Sequence, residues 1–587
     1  MKPAQILPIL GWLRTYRRAD LGGDLMAGTI TAIMIVPQAM AYALLAGMPP
    51  QAGLYASIAP LLAYAVFGTS RTLAVGPVAI VSLLTAAALA PVAESGSDAY
   101  VAAALVLALE VGLISVALAA IRAGHLVNFI SHPVISGFTS AAAIVIGLSN
   151  LKDILGIAMP RSESVVDLLA ELAGRLGDTN WVTLLIGGGG IAFLLLLRGP
   201  AARRAKRLAR GRGRMLAQTA VRAGPLLLEA AATLAVFALG LDQSAGVKVV
   251  GHIPTGLPPL TLPAFDRALW LALLPAAALI ALIGFLESVA VATALGAMRR
   301  QRVNANNELV GLGAANLAAA FTGGYPVTGG FGRSNVNFDA GAVTQLSAIF
   351  TAALVAVTVL VLPPLFRPLP PAALAAIIVV SVINLIDVKA FVTAWRYNKP
   401  DAAALSATFL GVLLLNVETG ILIGLGVSLG LLMWRTARPH YAIVGRVGDT
   451  EHFRNVKRHA VRTDPSMLLI RIDESLFFAN ARFLETTIAA EAAERPQLRH
   501  VVLICSAVNV IDLSALESLE TLIESLKAAG VTFHLAEVKG PVMDRLQRSH
   551  LLEHMQPGRV FLSTHEAVET LQAADALGAP VGLMAAK

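Results

Sequence analysis

The chain has 587 residues, 56% of them hydrophobic and 14% charged, with mean hydropathy +0.71 and formal net charge +8. A soluble protein carries roughly a quarter charged residues, so the composition excludes a purely soluble globular protein and points to a chain that crosses a bilayer repeatedly. Cys505 is the single cysteine, which excludes an intrachain disulfide and a thiolate metal site.

Residues 1–23, with Trp12, Arg14, Arg17 and Arg18, show no signal-peptide cleavage pattern and read as a cytoplasmic lead-in. Fourteen apolar segments follow, at about 24–46, 51–68, 73–90, 99–121, 133–150, 182–198, 225–241, 270–296, 308–323, 327–338, 342–362, 371–386, 401–416 and 418–434. Segments three and ten are irregular: three carries Gly76-Pro77, and ten is the short glycine-rich VTGGFGRSNVN. With the N-terminus inside, the cytoplasmic stretches before residue 439 hold 23 Lys and Arg and the external loops six. That bias fits an even number of spans with both ends cytoplasmic. It also assigns most of the positive charge to topology rather than to nucleic acid. The run RRAKRLARGRGR (203–214) reads as a solvated loop, with contact to anionic lipid as the alternative.

The apolar part, residues 24–438, repeats weakly. IVPQAMAYALLAG (35–47) aligns with GFLESVAVATALG (284–296) at an offset of 249, pairing Gln38 with Glu287, and the same offset places Pro77 on Pro326. Two units of seven spans, about 24–241 and 268–434, are oppositely oriented in the membrane. Helices interrupted at matching places in such units point to a transporter site. If segments three and ten are half-helices, their N-termini present unpaired amides and partial positive charge inside the membrane, a setting for an oxyanion. Arg333 adds a full charge, Thr328 and Ser334 add hydroxyls, and glycines 329, 330 and 332 allow close backbone approach. The same stretch read alone fits an exposed loop equally well. Glu287 lies mid-span, where an ionisable residue suggests function and can take up a proton as an anion enters. Gln38 either presents its amide to substrate or bonds a neighbouring helix. GGGG (187–190) lacks the Lys-Ser/Thr of a phosphate loop and reads as a close-packing surface. No cofactor, metal site or catalytic centre is expected, since no Cys/His cluster or Ser/His/Asp spacing occurs.

After Trp434 the pattern changes. Residues 439–587 alternate strand-like runs (467–472, 500–505, 531–538) with helical stretches such as 514–529, the signature of a cytoplasmic α/β domain.

VPQAMAYALLAGMPPQAGLY (36–55), FGTSRTLAVGPVAIVSLL (67–84), SHPVISGFTSAAA (131–143) and TGGFGRSNVNFDAGA (328–342) resemble the SulP sulfate-permease family, relatives of the solute-carrier 26 anion transporters. The region 439–587 resembles a STAS domain. The resemblance implies a seven-plus-seven inverted repeat divided into core and gate, an elevator-type motion and a homodimer in the bacterial inner membrane. By motif position it assigns the anion to Gln38, Tyr42, Val78, Ala79, Gly330, Phe331, Gly332 and Arg333, and cation coupling to Glu287. Ser514 falls at the turn that related STAS domains use for phosphorylation and for docking a cytoplasmic protein partner. Asp512-Leu513-Ser514 departs from the usual Asp-Ser-Ser, and Ser514 with Glu517 also reads as a capping box. The expected function is secondary transport of a small anion (sulfate, bicarbonate or a dicarboxylate) with a coupling proton, or with sodium in its place. The alternatives are a nucleobase transporter on the same architecture and a membrane-anchored sensor.

Overall fold

A computed structural model describes residues 7–125, 131–159, 165–197, 223–252 and 254–577. The basic run 203–214 and the first six residues of the lead-in lie outside them. The chain divides into two compact units, 1–428 and 429–587.

Helices stand at every expected apolar segment, the last of them running across the boundary between the units. They are α1 (Leu21–Leu45), α2 (Ala59–Phe67), α3 (Ala79–Leu89), α4 (Asp98–Ala120), α5 (His132–Ser149), α6 (Trp181–Leu196), α7 (Gly224–Leu239), α8 (Arg267–Met298), α9 (Ala305–Phe321), α10 (Phe331–Asp339), α11 (Leu346–Val361), α12 (Pro371–Val382), α13 (Lys399–Leu414) and α14 (Val417–Ala437). Their starts follow local chemistry. Ser97, Asn180, Asp266 and Asn304 accept backbone N–H bonds at the N-caps of α4, α6, α8 and α9. Prolines begin α5, α7, α12 and α13, where the missing N–H costs nothing. Pro37 inside α1 leaves the Ile33 carbonyl without its helical partner, close to Gln38.

α3 and α10 are short helices entered from extended chain. At 1.5 Å per residue they are about 16 and 14 Å long, half of a ~30 Å hydrocarbon core. Each is preceded by a two-residue strand, β1 (Val75–Gly76) and β2 (Thr328–Gly329), and the two strands pair antiparallel. The chain thus enters the bilayer extended on both sides and satisfies its backbone across the repeat axis. The half-helices begin at Ala79 and Phe331, an offset of 252 rather than 249, so Pro77 is not the counterpart of Pro326. Pro77 follows its strand, whereas Pro326 precedes its own.

Helix contacts sort into two groups. α9 packs on α4 and α2, α8 on α4, and α11 on α1. Separately, α13 packs on α5 and α12 on α6, while α7 and α12 meet α1. Within GGGG, a Cβ at Gly187 lies 3.0 Å from Ile154 and one at Gly190 lies 3.0 Å from Leu228, so the run does serve close packing.

The second unit contains a six-stranded sheet in the order β4-β3-β5-β6-β7-β8, where β3 is Tyr441–Arg446, β4 Phe453–Asn455, β5 Met467–Ile472, β6 His500–Ile504, β7 Thr532–Ala536 and β8 Val560–Phe561. β5 through β8 are parallel. Alternate residues cover both faces: Leu468, Val501 and Phe533 join one apolar cluster, Leu469, Val502 and Ile504 the other. Two helices, α15 (Ala481–Ala493) and α16 (Leu513–Ala528), cover the first of these through Leu484, Ile488, Leu519 and Leu522. Cys505 is buried in the same cluster, and desolvation pushes its thiol up to about 12, which keeps it inert.

Candidate functional site

The paired strands place the N-termini of α3 and α10 beside each other. In each, the first intrahelical bond is that of the fourth amide: Ser82 N–H donates to Val78 O at 2.9 Å and Ser334 N–H to Gly330 O at 3.0 Å. The three preceding amides of each half-helix have no helical acceptor, and neither N-cap, Val78 or Gly330, supplies a side-chain bond. Two partial charges of about +0.5 therefore converge within the membrane unit. The opposite end of α10 is neutralised: Arg299 donates to the carbonyls of Phe338 (3.2 Å) and Ala342, and its guanidinium lies 4.2 Å from the Phe338 ring centre.

Arg333 sits in the first turn of α10 and is 2% exposed, yet its Nη1 and Nη2 have no hydrogen-bond partner. A buried guanidinium with both terminal nitrogens unpaired is costly in a protein interior. Its position is set by two glycines. A Cβ at Gly76 stands 2.9 Å from Nη1, and one at Gly330 stands 3.1 Å from Nη2 and 3.0 Å from Val78 Cγ1. Tyr42, Tyr325 and Glu287 lie close to the Arg333 guanidinium. Glu287, on α8, is half-buried, and its Oε2 has no partner. Gln38 and Tyr42 are buried on α1; Ile35 of the same helix reaches the Gly76 position, and Tyr42 shares an apolar cluster with Ala79.

The structure thus gathers Tyr42, Val78, Ala79, Gly330, Arg333 and Glu287, with Gln38 one turn along α1. It treats four expected residues differently. The Thr328 hydroxyl donates to Gly284 O (2.6 Å) and accepts from Ser288 Oγ (2.7 Å), which itself accepts from Gly329 N–H (2.8 Å). Ser334 Oγ accepts from Ala74 N–H at 2.9 Å. Both hydroxyls brace the strands, because a strand of two residues needs side chains to hold it. Phe331 is 55% exposed and Gly332 is exposed with nothing within 4 Å of its Cβ position, so neither is buried as Arg333 is.

Residues missed in the sequence form the frame. Asn316 pairs with Val327 through both amide atoms (2.8 and 2.9 Å). Gln345 donates to Ser70 O and Leu73 O, and Asn337 to Thr72 O. Glu308 accepts from Tyr64 OH (2.5 Å) and from the backbone of Thr69 and Ser70. Their signal was available: each is an amide or carboxyl side chain set in or beside an apolar segment, where it must find a partner. In the second unit, the N-cap of α16 is Asp512, whose carboxylate accepts from Ala515 N–H and Phe478 N–H. Ser514 is exposed in the first turn, so the Ser514–Glu517 capping box does not form.

Residues 21–408 match the sulfate permease family and residues 458–567 the STAS domain. The chain is 37% identical over 578 residues to the probable sulfate transporter 4.2 of Arabidopsis thaliana, spanning 96% of this chain and 83% of that protein. It is 33% identical over 580 residues to high affinity sulfate transporter 2 of Stylosanthes hamata, spanning 96% and 86%. Its fold matches the overall structure of SLC26A9 with TM-score 0.88 at 24% identity, over 98% of this chain and 94% of that one. The transmembrane domain of a cyanobacterium bicarbonate transporter, BicA, matches 71% of this chain and 99% of its own with TM-score 0.58 at 24% identity. With its membrane helices, crossed half-helices and C-terminal sheet domain accounted for, the chain belongs to the sulfate permease family, a family of multi-pass membrane transporters and not of enzymes.

Proposed function

We propose that the protein is a secondary transporter of a small oxyanion, with sulfate the first candidate and bicarbonate or a dicarboxylate the others. The observation that carries this is Arg333, buried with Nη1 and Nη2 unpaired between two uncapped half-helix N-termini. An oxyanion accepts from the guanidinium fork and from the converging amides together. A neutral nucleobase leaves the cation uncompensated. The relatives named as sulfate transporters support the same reading.

Glu287 couples a proton to the anion. An anion on Arg333 screens the guanidinium from Glu287 and adds negative charge beside it, so anion and proton each favour the other's binding. The helix group carrying α3 and α10 moves as an elevator against the α5–α7 and α12–α14 group, in a homodimer with both termini cytoplasmic in the bacterial inner membrane. The transport domain is 24–438 and the STAS domain 439–587. Exposed Ser514 is the regulatory position, where phosphate gains from the helix N-terminus. Purified protein in liposomes tests the reading: uptake of radiolabelled sulfate, competed by unlabelled anions, rises with an inward proton gradient. Absence of flux for every anion refutes it in favour of a sensor.

A further inference from the structure

Between α7 and α8 runs a segment whose side chains do not fit water. Residues 253–265 (IPTGLPPLTLPAF) contain no charge. Leu257 is 55% exposed, Leu260 92%, Leu262 87% and Phe265 87%. Singly exposed leucines are common on protein surfaces; a contiguous run of this kind marks a contact surface. The backbone is equally suited to a low-dielectric setting. Pro258, Pro259 and Pro263 offer no N–H, and Thr261 spends both of its donors on the end of α9, its N–H on Phe321 O (3.0 Å) and its hydroxyl on Ala320 O (2.9 Å). Within 258–263 only Leu260 and Leu262 carry backbone N–H groups not used in this way. With only two free donors in that stretch, the backbone suits the interfacial level, where water still reaches it, rather than the hydrocarbon itself.

The segment adjoins the exposed apolar side of α8, a helix long and apolar enough to cross a bilayer. Leu271 and Leu274, 60% and 46% exposed in the first turns of α8, continue the apolar stripe into the spanning helix. Asp266 and Arg267 mark the polar border, and Phe265 stacks on Trp270 at 5.7 Å between ring centres, with the Trp270 indole N–H held by Ala264 O. An aromatic pair beside a charged pair at a helix start is the arrangement of a membrane interface. We propose that residues 257–265 are an interfacial membrane anchor: Leu260, Leu262 and Phe265 insert among lipid acyl chains where α8 enters the bilayer. Because Thr261 is tied to α9, the anchor fixes the depth of the α8–α9 end of the helix group that carries the anion site.

The test uses single cysteines at Leu260→Cys and Leu262→Cys in the full chain, labelled with an environment-sensitive fluorophore in phosphatidylcholine–phosphatidylglycerol vesicles. Cys505 is 1% exposed, and the unsubstituted chain measures its background. Quenching by bromine-substituted acyl chains several-fold stronger than by aqueous iodide is expected at both positions. Iodide quenching without lipid quenching overturns the proposal. Protection from both quenchers with energy transfer between labels also overturns it, since a second copy of the chain then covers the segment.

Discussion

The N-termini of α3 and α10 are related by the repeat and differ in chemistry. Both follow a two-residue strand, both begin without a side-chain cap, and they hold each other through the same ladder. Yet α3 opens with Ala79, Ile80, Val81 and Ser82, while α10 opens with Phe331, Gly332, Arg333 and Ser334. Repeat one contributes backbone dipole and an apolar wall, and repeat two contributes the charge. The bracing is unequal as well. Ser334, Asn337 and Gln345 of repeat two reach across to hold residues 70–74 of repeat one. Duplication preserves the backbone geometry that creates partial charges, whereas a single full charge is enough to anchor one small anion. A second buried arginine at the α3 end would add desolvation cost and like-charge repulsion.

Breaking the asymmetric member gives the largest effect. Arg333→Ala lowers anion affinity about 10- to 100-fold, the ~1.5–3 kcal/mol of a charged hydrogen bond, measured by equilibrium binding of labelled anion to purified protein. Arg333→Lys recovers part of the loss, since a point charge replaces a fork. Glu287→Gln removes the response of uptake to an imposed proton gradient while anion binding persists; a variant that still accumulates anion on a pH step contradicts the coupling role. Asn316→Ala leaves the Val327 amide and carbonyl buried and unpaired, which costs about 1–3 kcal/mol of stability and appears as a lowered Tm in detergent. Gly76→Ala places a Cβ against Nη1 and weakens binding several-fold, whereas Gly332→Ala, with open space around it, changes it less than about twofold. Equal effects of these two glycine substitutions contradict the placement of the guanidinium over Gly76.

Much of this was legible in the sequence because it rests on long apolar runs and on local chemistry. The helices at 98–120, 267–298 and 371–382 follow from hydropathy, and β5 and β6 from runs of β-branched and aliphatic residues. Arg333 and Glu287 stood out because ionisable groups are expensive in a bilayer. The strand register was not legible: Pro77 and Pro326 look equivalent, but pairing is decided by backbone bonds between β1 and β2, far apart in the chain. The bracing roles of Thr328 and Ser334 were not legible for a related reason. The Thr328 hydroxyl reads as a donor to ligand until Gly284 O, distant in sequence, is found to accept it, and Ser334 Oγ is found to accept from the Ala74 amide. Asp512 displaced Ser514 as the cap of α16 because its carboxylate also receives the Phe478 amide, a contact across two loops.

The central claim, an oxyanion held by Arg333 between the two half-helix N-termini, is tested most directly by locating the anion. Crystals soaked in selenate and measured at the selenium absorption edge are predicted to show one strong anomalous peak within hydrogen-bonding distance of the Arg333 guanidinium, flanked by the first amides of α3 and α10, and lost in Arg333→Ala. A peak elsewhere, or one that survives that substitution unchanged, contradicts the account.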